Sequence, residues 1–320
     1  MVKIGIIGGG KWGKNHIKDF SRMDSCQLIG LADSDESKKE LADKYSILHF
    51  KDYKEMLLHV EAVTIVTPTN THYEIAKYCL EQGKHVFVEK PLCFESEKAE
   101  ELVKLAEEKN KILSVGYVFR FNPLVKRLKE LLPEIGPIQY ISGRYIHSTV
   151  PPRKDSGVVF NLAVHLIDTL NYILPEKPNS VFCKQVNHIS QHNEDSAFII
   201  LDYGNFLANI ETSCCHPHKK RDMWIVAAKE KIYLDFLDQV MIRYPILISE
   251  EGTSSKEAIR DPMIEKAAPL FEELWHFTEV CNNKLTSEPA VNKSAENLLT
   301  TKMCLLALES ANNNRIIDIE

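Results

Sequence analysis

The segment VKIGIIGGGKWGKNHIKDF, Val2 to Phe20, narrows the possible folds more than any other part of the chain. Val2, Ile4, Ile6 and Ile7 form a β-branched run with the length of a buried strand, and Trp12 to Phe20 then reads as a helix. Between them Gly8, Gly10 and Gly13 stand at the spacing G-x-G-x-x-G. Thirteen glycines in 320 residues make chance matches to that spacing common, so its place at a strand-to-helix corner is what gives it meaning. At such a corner Gly8 permits a tight turn, Gly10 lets the backbone approach a pyrophosphate, and Gly13 lets the helix pack close to the strand. The helix start then offers unpaired N–H groups and partial positive charge to phosphate.

A second apolar run, Cys26 to Ala32, ends at Asp33, twenty residues beyond Gly13. A carboxylate there suits the adenosine ribose hydroxyls and repels a 2′-phosphate, and no arginine follows to receive one, so the cofactor expected is NAD rather than NADP. Strand and helix patterns continue to alternate as far as about Gly116. Helices are expected over Ser34 to Lys44, Asp52 to His59, Thr71 to Gln82 and Glu95 to Asn110. The strands between them are Ile47 to Phe50, Ala62 to Thr67, His85 to Val88 and Ile112 to Val115. This alternation predicts an α/β fold with a doubly wound parallel sheet, a Rossmann domain over residues 1–119.

Beyond Arg120 the strand-like segments lengthen and come in runs. They are Ile138 to His147, Ser180 to Ile189, Ser196 to Tyr203, Phe206 to Cys214, Met223 to Ala227 and Lys231 to Phe236. Helices are expected at Pro123 to Leu132, Val158 to Ile173, Ala267 to Asn282 and Ser294 to Asn312. Residues 120–320 therefore read as a C-terminal α+β domain with a mostly antiparallel open sheet, and the polar stretch Ser249 to Pro262 as a mobile loop.

Composition removes several functions. The net charge of −6, with both signs interspersed, offers no basic face to nucleic acid. No run of eighteen apolar residues is present and the chain enters a strand at once, so neither a membrane span nor a signal peptide is expected, and the protein reads as cytoplasmic. Its eight cysteines lack C-x-x-C spacing. The cluster Cys214 to His218, CCHPH, begins with adjacent cysteines, a poor start for a zinc site, and burial of a thiol at a strand end is expected instead of a metal.

Two segments carry candidate chemistry. VFVEKPL places Glu89, Lys90 and Pro91 at the end of the fifth strand, in the crevice where open sheets bind ligands, and a partly desolvated lysine there is suited to exchange a proton near neutral pH. In DSGVVFNLAVHLIDTL, the polar Asn161, His165 and Asp168 interrupt an apolar helix. Asn161 and His165 are four residues apart, so they share a face and can address one ligand.

With these residues assembled, the chain resembles the oxidoreductase family of glucose–fructose oxidoreductase, inositol dehydrogenase and their relatives. The resemblance rests on the Gly8 to Gly13 fingerprint, Asp33, TPTNTH at Thr67 to His72, EKPL at Glu89 to Leu92, the helix with Asn161 and His165, and the ending ESANNNRIIDI. It implies NAD contacts from the fingerprint, with Lys11 and Trp12 inside it, and from Asp33, Thr67, Asn70, His72, Glu89 and Lys90. It further implies a cis peptide before Pro91, catalysis by Lys90 and His165, and a homodimer or homotetramer assembled through the second domain. Many members carry aspartate where this chain has Asn161, an amide that can orient a hydroxyl without accepting its proton.

The stretch PPRKDSGVVFNLAVHLID most resembles the branch that oxidises the 3-hydroxyl of UDP-N-acetylglucosamine or its uronic acid form. That makes Asn161, Arg153 and Arg120 candidate donors to a small nucleotide-sugar substrate, guanidinium being well matched to phosphate. The alternatives are a dehydrogenase of free sugars or cyclitols and an NAD-binding regulatory protein without catalysis.

Overall fold

The computed structural model describes residues 1–147, 155–190, 192–249, 252–255, 257–285 and 294–319. The chain divides into two compact units, Met1–Phe121 with Ala268–Thr301, and Asn122–Ala267 with Lys302–Glu320.

The first unit is built on β1 (Val2–Ile7), β2 (Cys26–Ala32), β3 (Leu48–Phe50), β4 (Ala62–Ile65), β5 (His85–Glu89) and β6 (Leu113–Gly116). They form a parallel sheet in the order β3-β2-β1-β4-β5-β6, the arrangement of a Rossmann domain. The crossovers carry α1 (Lys11–Phe20), α2 (Lys39–Lys44), α3 (Tyr53–Met56), α4 (His72–Glu81) and α5 (Ser96–Glu108). The helix expected over Ser34 to Lys44 is thus shorter. Asp35 instead caps a 3₁₀ turn, Glu36–Lys38, by accepting the Ser37 N–H, and α2 follows. Ile4, Ile6, Leu31 and Phe87 on one face and Ile7, Val63, Ile65, Val86 and Val88 on the other are all buried, so the sheet is apolar on both faces, as parallel sheets require.

The second unit opens at α6 (Pro123–Leu131), where the Asn122 side chain accepts the Leu124 N–H and Pro123 occupies the first turn. Then come β7 (Ile138–Ile146), a π-helical turn over Val159–Ala163 that runs into α7 (Val164–Ile173), β8 (Ser180–Val186), β9 (Ser196–Asp202), β10 (Leu207–Ser213), β11 (Lys220–Ala227) and β12 (Glu230–Asp235). Next are β13 (Val240–Ser249), β14 (Gly252–Ser255) and β15 (Ile259–Arg260). The last elements of the chain are α8 (Pro269–Cys281), α9 (Ser294–Asn313) and β16 (Ile317–Asp318). The sheet runs β14-β13-β12-β11-β7-β10-β9-β8-β16, with β15 also on β13, and is antiparallel apart from the β7–β10 pair. Helix α7 covers one face, where Leu166 lies against Gly143 of β7.

Two expectations are corrected. Ser249 to Pro262 is not simply a loop, because β14 and β15 within it both pair with β13. Helix α8, read along the chain as part of the second domain, packs with the first unit. Phe277 of α8 meets Phe87 edge to face at 5.6 Å, and Asn282 donates to the Ser25 carbonyl at 2.7 Å.

Candidate functional site

In the first unit the glycine corner has the backbone geometry expected of it. Gly8 sits at φ +106°, where a Cβ would lie 2.8 Å from the Val66 carbonyl oxygen. A Cβ on Gly13 would overlap the Gly8 carbonyl oxygen, which explains why helix and turn can close only on glycine there. At Gly10 a Cβ would meet nothing within 4 Å. The backbone is therefore bare toward the open side, at the N-terminus of a ten-residue helix that has no side-chain cap and no acidic residue in its first turn. Backbone N–H groups so arranged suit a pyrophosphate, and their chemistry fits a dinucleotide. A cleft of about 590 Å³ adjoins it, lined by Gly8, Gly10, Asp33, Ser34, Tyr53 and Thr67 among others.

Asp33 stands at this cleft with its carboxylate held from two sides. Oδ2 accepts the Gly9 N–H at 2.6 Å and Oδ1 accepts the Asp35 N–H at 2.9 Å. The two lysines lining the cleft are engaged elsewhere: Lys38 pairs with Asp35 at 2.8 Å, and Lys51 pairs with Glu36. The Lys38 ammonium holds the Asp35 carboxyl down at about 2, the hydrogen bond being the main cause. Lys11 and Trp12 are exposed at the start of α1, and Asn70 is exposed on the 3₁₀ turn Thr69–Thr71.

The loops after β4 and β5 are tied through His72. Its Nε2 lies 2.9 Å from the Thr67 carbonyl and its Nδ1 2.9 Å from the Pro91 carbonyl. A neutral imidazole can donate to only one of these oxygens. Thr67 also receives the Thr71 hydroxyl at 2.7 Å. The Lys90–Pro91 peptide is cis, and Lys90 is 7% exposed. The Glu89 carboxylate turns to the interior, 3.0 Å from Nε2 of the buried His16 on α1, and so braces the strand end against the glycine corner. Arg120 is buried at 2% exposure with its guanidinium 5.1 Å from the Tyr117 ring centroid.

In the second unit His165 is 7% exposed and stacks on Tyr145 of β7, ring centroids 5.5 Å apart. Thr169 donates to the His165 carbonyl. Asn161, one turn earlier and half-buried, lies in the π-helical turn, and its N–H donates to the Gly157 carbonyl four residues back at 3.0 Å. Asp168 is fully buried below them. Arg153 lies outside the described residues.

Sequence reasoning missed the residue that secures this turn. Glu194 accepts the Val158 N–H with its backbone carbonyl and the Val159 N–H with its carboxylate, at 3.0 and 2.9 Å, a cap supplied from a distant loop. Burial raises the Glu194 carboxyl, the Asp195 charge adding to the shift and the Val159 N–H opposing it. Nothing in the local sequence announces such a cap, except that Gly157 is where a Cβ would overlap that carboxylate.

Cys214 is buried and its thiol is pushed up to about 12, mainly by burial. Among the described residues no three His, Cys, Asp or Glu side chains are placed to hold a metal ion.

A Rossmann unit with a dinucleotide cradle, joined in one chain to an open-sheet unit that buries an imidazole, defines a two-domain nicotinamide-dependent oxidoreductase. A family model described as oxidoreductase family, NAD-binding Rossmann fold matches residues 2–117, and the model of the GFO/IDH/MocA C-terminal domain matches residues 125–233. The chain belongs to the GFO/IDH/MocA oxidoreductase family, and its cofactor is NAD.

It is 26% identical to the UDP-N-acetylglucosamine 3-dehydrogenase of Acidithiobacillus ferrooxidans over 76% of this chain and 77% of that protein. It is 23% identical to a myo-inositol 2-dehydrogenase of Thermotoga maritima over 100% of this chain and 99% of the relative. A solved structure of the Acidithiobacillus enzyme shares the fold at a TM-score of 0.84 and 22% identity, covering 98% of both chains. Among the described residues no helix is long and apolar enough to cross a membrane.

Proposed function

We propose that the protein oxidises the 3-hydroxyl of UDP-N-acetylglucosamine, or of its uronic acid form, to the 3-keto sugar. NAD, when bound, accepts the hydride from the carbon that carries the hydroxyl. The hydroxyl proton passes to Lys90 or His165. The amide of Asn161 orients the sugar without taking the proton. The carrying observation is His165 itself, an imidazole almost closed off on an apolar helix and fixed by the Tyr145 ring, a setting that suits proton exchange with one bound hydroxyl. The choice of nucleotide sugar is supported by the 26% identity to an enzyme named for that reaction.

A second reading, oxidation of a cyclitol at the same site, is favoured by the myo-inositol 2-dehydrogenase relative, whose likeness extends over the whole chain. Incubation of the NAD-loaded protein with both UDP sugars and with myo-inositol, followed by mass spectrometry of one turnover, separates the two. A 3-keto UDP sugar supports the first reading, and a keto-inositol alone supports the second.

The reading includes assembly as a homodimer or homotetramer. Its support is the uncovered face of the second sheet, where Tyr140, Phe198, Ile200 and Leu207 are 40–56% exposed on neighbouring strands.

A further inference from the structure

The second unit contains a half-buried arginine to which no role has been assigned. Arg221 lies on β11 directly across from Tyr145 of β7, so both side chains project to the face that α7 covers. Its guanidinium sits 4.5 Å from the Tyr145 ring centroid, and Tyr145 in turn stacks on His165. Guanidinium, phenol ring and imidazole thus form one continuous row. The Nε of Arg221 is buried without an acceptor, and among the described residues no carboxylate pairs with the side chain.

Elsewhere the half-buried arginines of this sheet find acids: Arg144 pairs with Asp222, and Arg243 with Glu230 and Asp261. A guanidinium fixed by its flat face, with its donors unspent and no counter-charge, is prepared for an anion. The chain leading into it reinforces the sign. Arg221 ends the run HPHKKR, residues 216–221, in which Lys219 and Lys220 are exposed beside His216 and His218.

We propose that Arg221 receives the negative charge of the substrate, and that the row Arg221–Tyr145–His165 sets that charge at a fixed distance from the imidazole. The inference rests on the reading of the substrate as an anionic nucleotide sugar. The recognised chemistry is shared by the diphosphate and by the carboxylate of a uronic acid.

Calorimetric titration of the NADH-loaded protein, which binds sugars without turning them over, tests it with UDP-N-acetylglucosamine, its uronic acid form and neutral myo-inositol as probes. Arg221→Met keeps a long stem on Tyr145 and removes the fork, and Arg221→Lys keeps only the charge. The expected result is a loss of about tenfold or more for at least one UDP sugar in Arg221→Met, a smaller loss in Arg221→Lys, and no change for myo-inositol or for the melting temperature. Equal losses for the two UDP sugars assign the diphosphate, and a loss confined to the uronic acid form assigns the carboxylate. Unchanged affinity of Arg221→Met for both, or no binding of either by the unaltered protein, overturns the inference. Tight binding of a UDP sugar that never reduces NAD would sink the proposed reaction and leave Arg221 as an anion site.

Discussion

Asp33 ties the fold together at the edge of the cleft proposed to take the cofactor. Its two oxygens pin the Gly9 and Asp35 amides, and the same charge stands at the mouth of the cofactor cleft with neighbouring lysines already paired. A 2′-phosphate there would meet a carboxylate and no unpaired cation from Lys38 or Lys51. NAD should therefore bind more tightly than NADP, and Asp33→Ser should narrow the gap, as read by quenching of protein fluorescence in titrations of both; tighter NADP binding by the unaltered protein contradicts this. Lys90 and His165 make a different demand. If they divide proton transfer and positioning, Lys90→Ala and His165→Ala should each lower turnover of UDP-N-acetylglucosamine about 10²-fold or more and leave NAD affinity nearly intact. Normal turnover by Lys90→Ala would remove the EKP segment from the chemistry. Both residues were candidates from the sequence because each breaks a local pattern, a charge at a strand end and a polar group on an apolar helix. Arg221 was not, because HPHKKR reads as a solvated basic turn until the register with Tyr145 is known.

At the scale of elements, local pattern was readable and partnership was not. The six strands of the parallel sheet were marked by short apolar runs between helices, and their boundaries moved by only a residue or two. Strand β13 escaped notice because Pro245 stands inside it, which argues against a strand. In the sheet, β15 pairs with Ile242 and Arg243 and β14 with Ile246 to Ser249, so Pro245 falls between two partners, where no N–H is needed. The π-helical turn at Val159–Ala163 and its Glu194 cap are likewise tertiary facts. So is the return of α8 to the first unit. Its Phe277 is 1% exposed and closes an aromatic group with Phe87 and His16. Phe277→Ala should accordingly destabilise the Rossmann unit by about 3–5 kcal/mol, although in sequence the residue lies between the two segments of the second unit. Chemical denaturation followed by far-ultraviolet circular dichroism measures this. A loss well under 1 kcal/mol would mean that α8 is not part of that unit's core.

At the scale of the whole molecule, each unit brings one half of a dehydrogenase. One carries a bare glycine corner and a single acid at a cleft, and the other carries an amide, an imidazole and a guanidinium that no carboxylate pairs with among the described residues. Oxidation of a sugar or cyclitol hydroxyl with NAD fits that division of labour, and the proposal at Arg221 adds a receiver for negative charge on the substrate. The most direct measurement is the fate of one hydrogen. UDP-N-acetylglucosamine and its uronic acid form, each deuterated at C3, are incubated with NAD and stoichiometric protein, and the reduced nicotinamide is weighed by mass spectrometry. The account predicts reduced cofactor one mass unit heavier than NADH from at least one of them, together with a 3-keto UDP sugar. Unlabelled NADH, or no reduction by either sugar while myo-inositol reduces NAD readily, would contradict it.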